Sequence, residues 1–350
     1  MNPLPQKIRV LIVDDSALVR KLLRDVISGD PEMEVVGTAS NGVEAISAIT
    51  ALEPDVVTMD IHMPEMDGLT ALEYIMRKHP LPVVMLSALA QKGARPTLKA
   101  LELGAVDFIT KPSHYPSAIR EVSEEVLFKV RTAAAARKTL LREQVRKRVR
   151  RKPAAGKPPT RKERLVVIGS SAGGPKALAE IMPLFPANTP AAIVIVQHMP
   201  DVFTRSFAKR LDSICGLQVK EAEEEDLLVP GRVLVAPGGK DLIISKERGR
   251  PGQVHLMNSQ NRVGASPHID TTMITAAESY GADSIGVIMT GMGSDGARGI
   301  EQIKIKQGDT VAQDEESCLV FGMPKVAIES GCVDWVVPLG QIPDKVMELL

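Results

Sequence analysis

The chain has 350 residues, of which 44% are hydrophobic and 25% charged, and its formal net charge at pH 7 is zero. This length predicts about two domains, each large enough for its own core. No apolar run is long enough to span a bilayer and no signal peptide precedes the first strand pattern, so we expect a cytoplasmic protein without membrane insertion. Three widely spaced cysteines fit reduced core thiols better than a disulfide framework or a zinc site: Cys215, Cys318 and Cys332.

Residues 8–130 alternate short apolar strands with amphipathic helices. The strands are predicted at 8–13, 35–39, 56–59, 83–86 and 106–109, and the helices near 17–27, 42–52, 69–77, 94–103 and 117–129. Five such units imply an α/β domain with a parallel sheet that is covered by helices on both faces. Ligands of such sheets collect at the carboxyl ends of the strands.

Polar residues follow four of these strands at that edge: Asp14 and Asp15, then Asp60, Ser87 and Lys111. Three carboxylates and one ammonium suit a hard divalent cation and a phosphoryl group. Asp60 is the candidate nucleophile toward phosphorus, and Ser87 and Lys111 would offset charge on the phosphoryl oxygens. An aspartate after a strand also commonly caps the next helix, but five polar residues at matching positions favour a binding site.

Three motifs in this region resemble the receiver domain of two-component response regulators. They are residues 11–16 (Leu-Ile-Val-Asp-Asp-Ser), 59–68 (Met-Asp-Ile-His-Met-Pro-Glu-Met-Asp-Gly) and 108–112 (Phe-Ile-Thr-Lys-Pro). The resemblance covers about residues 7–130 and implies a five-stranded, doubly wound, flavodoxin-like receiver, assigned to residues 1–130. It implies that a histidine kinase phosphorylates Asp60 and that Ser87 and Phe108 then rearrange. It also implies an Mg²⁺ site formed by Asp14, Asp15, Asp60 and the His62 carbonyl.

Charge is concentrated in the middle of the chain. Residues 129–164 contain fifteen Lys or Arg against two Glu. With its Pro and Gly content, the stretch 131–162 is typical of a solvated linker, and its helical lead-in is predicted from residue 117 to about residue 148. A nucleic-acid-binding arm is the alternative, although the stretch lacks aromatic stacking residues and a recognisable docking motif.

Residues 163–350 form the second predicted domain, again α/β with a mostly parallel sheet. Strands are predicted at 165–168, 192–196, 233–236, 242–245, 254–257, 284–289, 310–313 and 333–337. After the first of these, Gly169-x-Ser171-x-Gly173 lies at a strand-to-helix turn, a context that favours a nucleophilic Ser171. The N–H groups opening the helix, at Ala172 and Gly173, are candidate oxyanion donors. The loop alone is more often a structural or phosphate-binding turn.

A serine nucleophile needs a base and an acid that orients the base. His198 ends the next strand at the same edge of the sheet and is the preferred base; His268 is the second choice, and His255 lies inside a strand pattern. The preferred acid is Asp295, which follows the strand at 284–289. The order Ser, His, Asp is no objection, because such triads are defined by geometry.

The loop that contains Asp295 has a rival interpretation. Gly291-x-Gly293-x-x-Gly296 matches a dinucleotide-binding fingerprint after a strand, with Asp314 near the place of a ribose-binding acid. That interpretation leaves Ser171 and His198 without a role, whereas a hydrolase uses all three loops.

Four segments of this domain resemble the catalytic domain of the chemotaxis protein-glutamate methylesterases: residues 169–174, 197–208, 291–296 and 313–318. The resemblance implies a Ser171, His198 and Asp295 triad with Met292 near the oxyanion site. It departs at His268, where the family usually has a small hydroxyl residue.

The resemblance implies a cofactor-independent hydrolase that removes methyl esters from glutamates of chemoreceptors, also deamidates receptor glutamines, and is regulated by phosphorylation. We expect no nucleic-acid partner. The alternative is a response regulator with a nucleotide- or DNA-binding output domain, against which the absence of a helix-turn-helix pattern argues.

Overall fold

The computed structural model describes residues 7–88, 91–111, 119–143, 163–259 and 266–350. The chain divides into two compact units, residues 1–147 and 148–350. Most of the basic stretch, residues 144–162, lies outside the described residues. None of the described helices is long and apolar enough to cross a membrane.

The described residues of the first unit form five strands and five helices in strict alternation. The strands are β1 (Ile8–Val13), β2 (Met33–Ala39), β3 (Val56–Asp60), β4 (Val83–Ala88) and β5 (Asp107–Lys111). The helices are α1 (Ala17–Ser28), α2 (Gly42–Leu52), α3 (Gly68–Lys78), α4 (Gln91–Leu103) and α5 (Ile119–Glu143). The sheet order is β2-β1-β3-β4-β5, with all pairs parallel. This confirms the predicted doubly wound, flavodoxin-like fold.

Helix α5 continues thirteen residues beyond the predicted domain limit at residue 130. Its apolar stripe explains the extension, because Val126, Val130, Ala133 and Ala136 are all buried at helical spacing. Arg131 of the same helix forms ion pairs with Asp30 and Glu32 of this unit. The helix that the sequence predicts from residue 117 to about residue 148 is thus found over residues 119–143, and its buried stripe packs in the first unit.

The second unit is built on a seven-stranded sheet. Its strands are β6 (Arg164–Ser170), β7 (Ala191–Gln197), β8 (Gln218–Glu221), β10 (Arg232–Val235), β13 (Ser284–Ile288), β14 (Asp309–Gln313) and β15 (Trp335–Val337). They are ordered β15-β14-β13-β6-β7-β10-β8, with every pair parallel. The predicted second α/β domain is confirmed. The edge strand β8 was not predicted, because only Val219 of its four residues is apolar.

A small antiparallel sheet adjoins this core. It consists of β9 (Leu227–Leu228), β11 (Lys240–Ser245) and β12 (Gly252–Asn258), in the order β11-β12-β9. The helices of the unit are α6 (Gly174–Ile181), α7 (Asp201–Asp212), α8 (Ile269–Tyr280), α9 (Ala297–Ile305), α10 (Met323–Glu329) and α11 (Ile342–Leu349).

The strand order of the second unit indicates where a ligand would bind. Strand β6 is first in this unit, and its neighbours β7 and β13 lie on opposite sides of it. The chain thus reverses its direction of winding beside β6, and ligands bind at such switch points, outside the carboxyl ends of the strands. The loops after β6, β7 and β13 begin with Ser171, His198 and Met289, respectively.

Candidate active site and phosphoryl site

Ser171 occupies the first position after β6. Its backbone N–H donates to Thr290 O at 3.0 Å, and its carbonyl accepts from Gly174 N at 2.8 Å. Gly173 has φ = 76°, a left-handed conformation that favours glycine and lets the chain turn directly into α6. Ser171 is half-buried at this turn.

The structure brings His198 and Asp295 together. His198 Nε2 lies 2.7 Å from Asp295 Oδ2, and only 9% of the His198 side chain is exposed. Asp295 also accepts from the backbone N–H groups of Ile269 at 2.8 Å and Asp270 at 2.9 Å, the first two residues of α8. The acid is thereby fixed by the start of a helix, where the macrodipole favours negative charge.

The pKa of the Asp295 carboxyl is lowered. Burial alone would raise this pKa, but the hydrogen bond and charge of His198 and the two α8 N–H groups outweigh burial. An ionised carboxylate only accepts hydrogen bonds, so Nε2 carries the proton and Nδ1 is left as the basic nitrogen. Asp295 therefore fixes the tautomer that a general base requires.

His198 and Ser171 lie on adjacent loops. The backbone N–H of His198 donates to Ser170 O at 3.1 Å, which ties the loop after β7 to the loop after β6. The Ser171 hydroxyl makes no hydrogen bond to a described residue, His198 included. Such contacts are often long in a free enzyme and shorten when substrate binds.

Two backbone N–H groups at the Ser171 turn remain available. Those of Ala172 and Gly173 donate to no acceptor within the described parts of the chain. Both residues are buried directly before α6, where helix N-terminal N–H groups lack intrahelical partners. They could therefore stabilise an oxyanion. Met292 is half-buried in the loop after β13.

The other two histidines of this unit have different partners. His268 Nδ1 lies 2.7 Å from Asp241 Oδ1, and His268 precedes α8. His255 lies in β12 between Glu224 and Ser245. Neither contacts Asp295 with its side chain, so the structure does not place either one as the base.

The cysteines do not form a nucleophilic or metal site. All three are free, with Cys318 buried. Burial raises the pKa of Cys215 to about 11 and also raises that of Cys318. A thiol with a raised pKa is a poor nucleophile at neutral pH.

The first unit has its own polar site at the carboxyl edge of its sheet. Carboxylate oxygens of Asp14, Asp15 and Asp60 lie within 4.8 Å of one another. Lys111 Nζ is 2.7 Å from Asp14 Oδ2 and 2.8 Å from Asp60 Oδ2. Asp14 and Asp60 are buried and Asp15 is exposed, so the cluster opens to solvent on one side.

The pKa values in this cluster reflect its crowded charges. Burial raises the pKa of Asp14, against the opposing effect of Lys111. Burial would lower the pKa of Lys111, but the two carboxylates outweigh it and the pKa is raised. Among the described residues, Asp14 Oδ2 is a buried oxygen that accepts no well-directed hydrogen bond. Such an oxygen in an all-carboxylate set is what a hard cation would complement, so the cluster is compatible with Mg²⁺.

The remaining predicted receiver residues lie in β4, in β5 and in the loop after β3. The Ser87 hydroxyl pairs with Thr97 Oγ1 of α4 at 2.6 Å. Phe108 is buried in β5, with Lys129 Nζ 4.9 Å from the centre of its ring. His62 is exposed in the loop after β3, as expected for a residue that contributes only its carbonyl.

Several residues at the active site were not assigned a role from the sequence. Gln197 was seen only as the residue before His198, yet its side chain contacts both the Ser171 and the His198 backbone. Asp270 accepts from Gly296 N and Gly299 N. Thr290 Oγ1 donates to Ala172 O at 2.9 Å. A polar residue ending the otherwise apolar run 191–196 was a usable signal for Gln197.

The glycine loop after β13 does not present a dinucleotide site. Asp295, inside the fingerprint, is held by His198 and α8. The Asp314 carboxylate accepts from Ser317 N at 3.0 Å and thus caps its own turn.

Comparison with known proteins gives the same assignment for both units. The family model for CheB methylesterase matches residues 166–346, and that for the response regulator receiver domain matches residues 10–123. The chain is 50% identical to the protein-glutamate methylesterase/protein-glutamine glutaminase of Pyrococcus abyssi, over 98% of this chain and 93% of that protein. It is 45% identical to the protein of the same name from Thermotoga maritima, over 98% of each.

A solved structure supports the fold of the second unit. The crystal structure of the Thermotoga maritima CheB methylesterase catalytic domain matches with a TM-score of 0.52 and 46% identity, covering 54% of this chain and 100% of that one. These matches support a hydrolase and not a nucleotide- or DNA-binding output domain. The chain belongs to the CheB methylesterase family, with a response regulator receiver domain ahead of the methylesterase domain.

Proposed function

We propose that the second unit hydrolyses γ-glutamyl methyl esters on chemoreceptors, with Ser171 as nucleophile, His198 as base and Asp295 as orienting acid. The observation that carries this proposal is the half-buried His198–Asp295 pair, 2.7 Å apart, whose histidine opens the loop beside that of Ser171. The names of the relatives supply the substrate class.

In the first step, the Ser171 oxygen forms a bond to the ester carbonyl carbon while its proton passes to His198 Nδ1. The negative charge on the carbonyl oxygen would be met by the N–H groups of Ala172 and Gly173, with Met292 nearby. The bond to the methoxy group then breaks, and methanol leaves with the proton from His198.

In the second step, water attacks the acyl-enzyme carbonyl and gives a proton to His198. The bond to the Ser171 oxygen breaks, the proton returns to Ser171, and the receptor retains a glutamate. A glutamine side chain can follow the same route with ammonia as the leaving group, which we include in the proposal. No step requires a cofactor.

The first unit is proposed to accept a phosphoryl group on Asp60 from a histidine kinase of the chemosensory pathway. Asp14, Asp15, Asp60 and the His62 carbonyl would hold Mg²⁺, which would neutralise charge on the phosphoryl oxygens when bound. Lys111, 2.8 Å from Asp60, would add a second positive charge, and Ser87 and Phe108 would change partners. We also propose a cytoplasmic location for this protein, because a histidine kinase that uses ATP would phosphorylate it there.

Phosphorylation of Asp60 is proposed to raise the hydrolase rate. A tenfold activation corresponds to about 1.4 kcal/mol of differential stability between two states of the protein. A change in the Ser87 and Lys111 contacts is large enough to supply that difference.

The test is methanol release from methylated receptor membranes, measured with the wild type, Ser171→Ala and Asp60→Asn, each with and without a small phosphodonor and Mg²⁺. We expect no release by Ser171→Ala, and release by Asp60→Asn that does not respond to phosphodonor. Undiminished release by Ser171→Ala would overturn the hydrolase assignment. A phosphodonor response retained by Asp60→Asn would overturn the regulatory one.

A further inference from the structure

We propose that Gln197 is a positioning residue that sets the distance between the nucleophile loop and the base loop with one side-chain amide. The inference takes the identities of nucleophile and base from the proposed function. The contacts of Gln197 are independent of which substrate is hydrolysed.

The Gln197 side chain bridges the backbones of both residues. Its Nε2 donates to Ser171 O and to His198 O, each at 3.0 Å. Gln197 is the last residue of β7 and is only 2% exposed. Because both hydrogens of the amide are used, a shift of either loop would leave a buried polar group unsatisfied.

A second buried residue holds the oxygen of the amide. Ser170 Oγ donates to Gln197 Oε1 at 2.7 Å, and Ser170 is fully buried. If the amide were reversed, Oε1 would face two carbonyl oxygens that have no hydrogen to donate, so the two carbonyls exclude that orientation. The side chain therefore has its three main hydrogen-bonding positions filled in one orientation.

Close packing restricts the amide further. A Cβ atom built on Gly174 would lie 2.0 Å from Gln197 Oε1, so α6 can begin directly over the amide only because residue 174 is glycine. The clamp, meaning Gln197 with Ser170 and Gly174, thus joins the turn at Ser171, the start of α6 and the end of β7.

The clamp matters for catalysis because Ser171 Oγ and His198 Nδ1 must approach within hydrogen-bond distance when substrate is bound. A displacement of about 1 Å in such a pair can cost about 100-fold in rate. Gln197 contacts no reacting atom, so its effect should be on kcat and on serine reactivity rather than on substrate affinity.

The principal variant is Gln197→Glu, which keeps the size of the side chain and replaces the donor with an acceptor facing two carbonyls. We expect kcat for methanol release to fall about 10- to 100-fold with KM within about twofold. A fluorophosphonate probe gives a second readout: the Ser171 oxygen bonds to phosphorus, fluoride leaves, and the proton goes to His198. Its labelling rate should fall by a similar factor.

The milder variant is Ser170→Ala, which removes only the hydrogen bond to the amide oxygen. We expect kcat and the labelling rate to fall about 2- to 5-fold, in line with the loss of one neutral hydrogen bond. If Gln197→Glu does not fold, Ser170→Ala decides the question by the same two measurements.

The matched control is Thr310→Val. Thr310 lies near the amino end of β14, whereas the active-site loops follow the carboxyl ends of the strands. Thr310 is also buried, and its hydroxyl donates to Cys332 O at 2.7 Å and contacts Asp334. This variant should lose stability without changing kcat or labelling, so a drop in Gln197→Glu cannot be ascribed to lower stability alone.

Wild-type kcat and labelling rates in the folded clamp variants, or a change confined to KM, would overturn the inference. Failure of the proposed function is separately visible. In that case wild-type protein would release no methanol, while labelling of Ser171 would still depend on Gln197.

Discussion

A serine, a histidine and a carboxylate lie together at the candidate active site and also at an exposed cluster elsewhere in the second unit. At the exposed cluster of Ser245, His255 and Glu224, the histidine lies 3.0 Å from both the serine oxygen and the carboxylate. At the candidate active site, His198 contacts Asp295 but not the Ser171 hydroxyl. Judged by hydrogen bonds alone, the exposed cluster is the more complete triad.

The difference lies in the surroundings of the two groups. The His255 and Glu224 side chains are 41% and 56% exposed, against 9% for His198 and 21% for Asp295. Ser245 lies within paired strand β11, whereas Ser171 precedes a helix and its two available N–H groups. Burial and available N–H groups, rather than the serine–histidine contact, therefore favour Ser171 over Ser245 as the candidate nucleophile.

The pKa direction of the acid does not separate the two places. The pKa of Glu224 is lowered by the backbone N–H of Leu256 and by His255, and that of Asp295 is lowered despite burial. Both acids are ionised at neutral pH. A search for shifted carboxylates would have selected both clusters.

The largest expected effect is the contrast between the two serines. Ser171→Ala should lower methanol release by roughly four orders of magnitude or more, because the nucleophile is removed. Ser245→Ala should leave the rate unchanged. The measurement is initial-rate methanol release from the same methylated receptor preparation, and equal loss in both variants would contradict the comparison.

Substitutions of Asp295 and Glu224 should differ nearly as much in their effect on kcat. Asp295→Asn should lower kcat by about 1,000- to 10,000-fold, because an amide can donate to Nε2 and favour the wrong His198 tautomer. Glu224→Gln is the matched control and should retain wild-type kcat. A pH–rate profile of each variant checks the result, and a wild-type profile for Asp295→Asn would remove this residue from the mechanism.

Lowering the pH should reveal the contribution of Asp295 to the free energy of unfolding. Its pKa is lower in the folded state, so the unfolded state binds more protons and the free energy of unfolding rises with pH in this range. The contribution is complete above the unfolded pKa, about 4, and is lost as the pH falls through the folded value.

Urea unfolding of the full chain can measure this effect through Trp335, the single tryptophan, which lies in β15 of the second unit. Between about pH 6 and pH 3, Asp295→Asn should show a flatter decline than the wild type. A parallel decline would show that Asp295 does not carry the expected linkage.

The smallest expected effect is on the exposed cluster itself. His255→Gln should leave the melting temperature and kcat unchanged, because exposed ion pairs contribute little to stability. Differential scanning calorimetry at two salt concentrations checks this. A clear loss of stability would mean that the cluster is a structural element of the small sheet.

Much of this arrangement followed from local patterns. Apolar strands with polar residues directly after them predicted both sheets and brought Asp14, Asp60 and Lys111 to one edge. The same argument selected Ser171, His198 and Asp295 as candidates. It worked because parallel strands place their carboxyl ends together, whatever their distance in sequence.

Other features depend on contacts that no local pattern encodes. Whether the Gln197 amide faces two carbonyls depends on how β6 and β7 pair. The exposed cluster arises from the antiparallel register of β11 and β12 and from a glutamate outside both strands. Strand β8 forms at a sheet edge, where one buried valine suffices.

A carboxylate at the start of each of the helices α8 and α9 accepts hydrogen bonds from N–H groups at the start of the other helix. Asp295, before α9, accepts from the first N–H groups of α8, and Asp270, in α8, accepts from Gly296 and Gly299 at the start of α9. Neither helix can be moved without detaching the carboxylate of the other. Insertions in the two connections that flank β13, at residues 281–283 and 289–294, should therefore be tolerated only if they preserve this mutual docking, so the alignment of Asp295 depends on how the two helices pack.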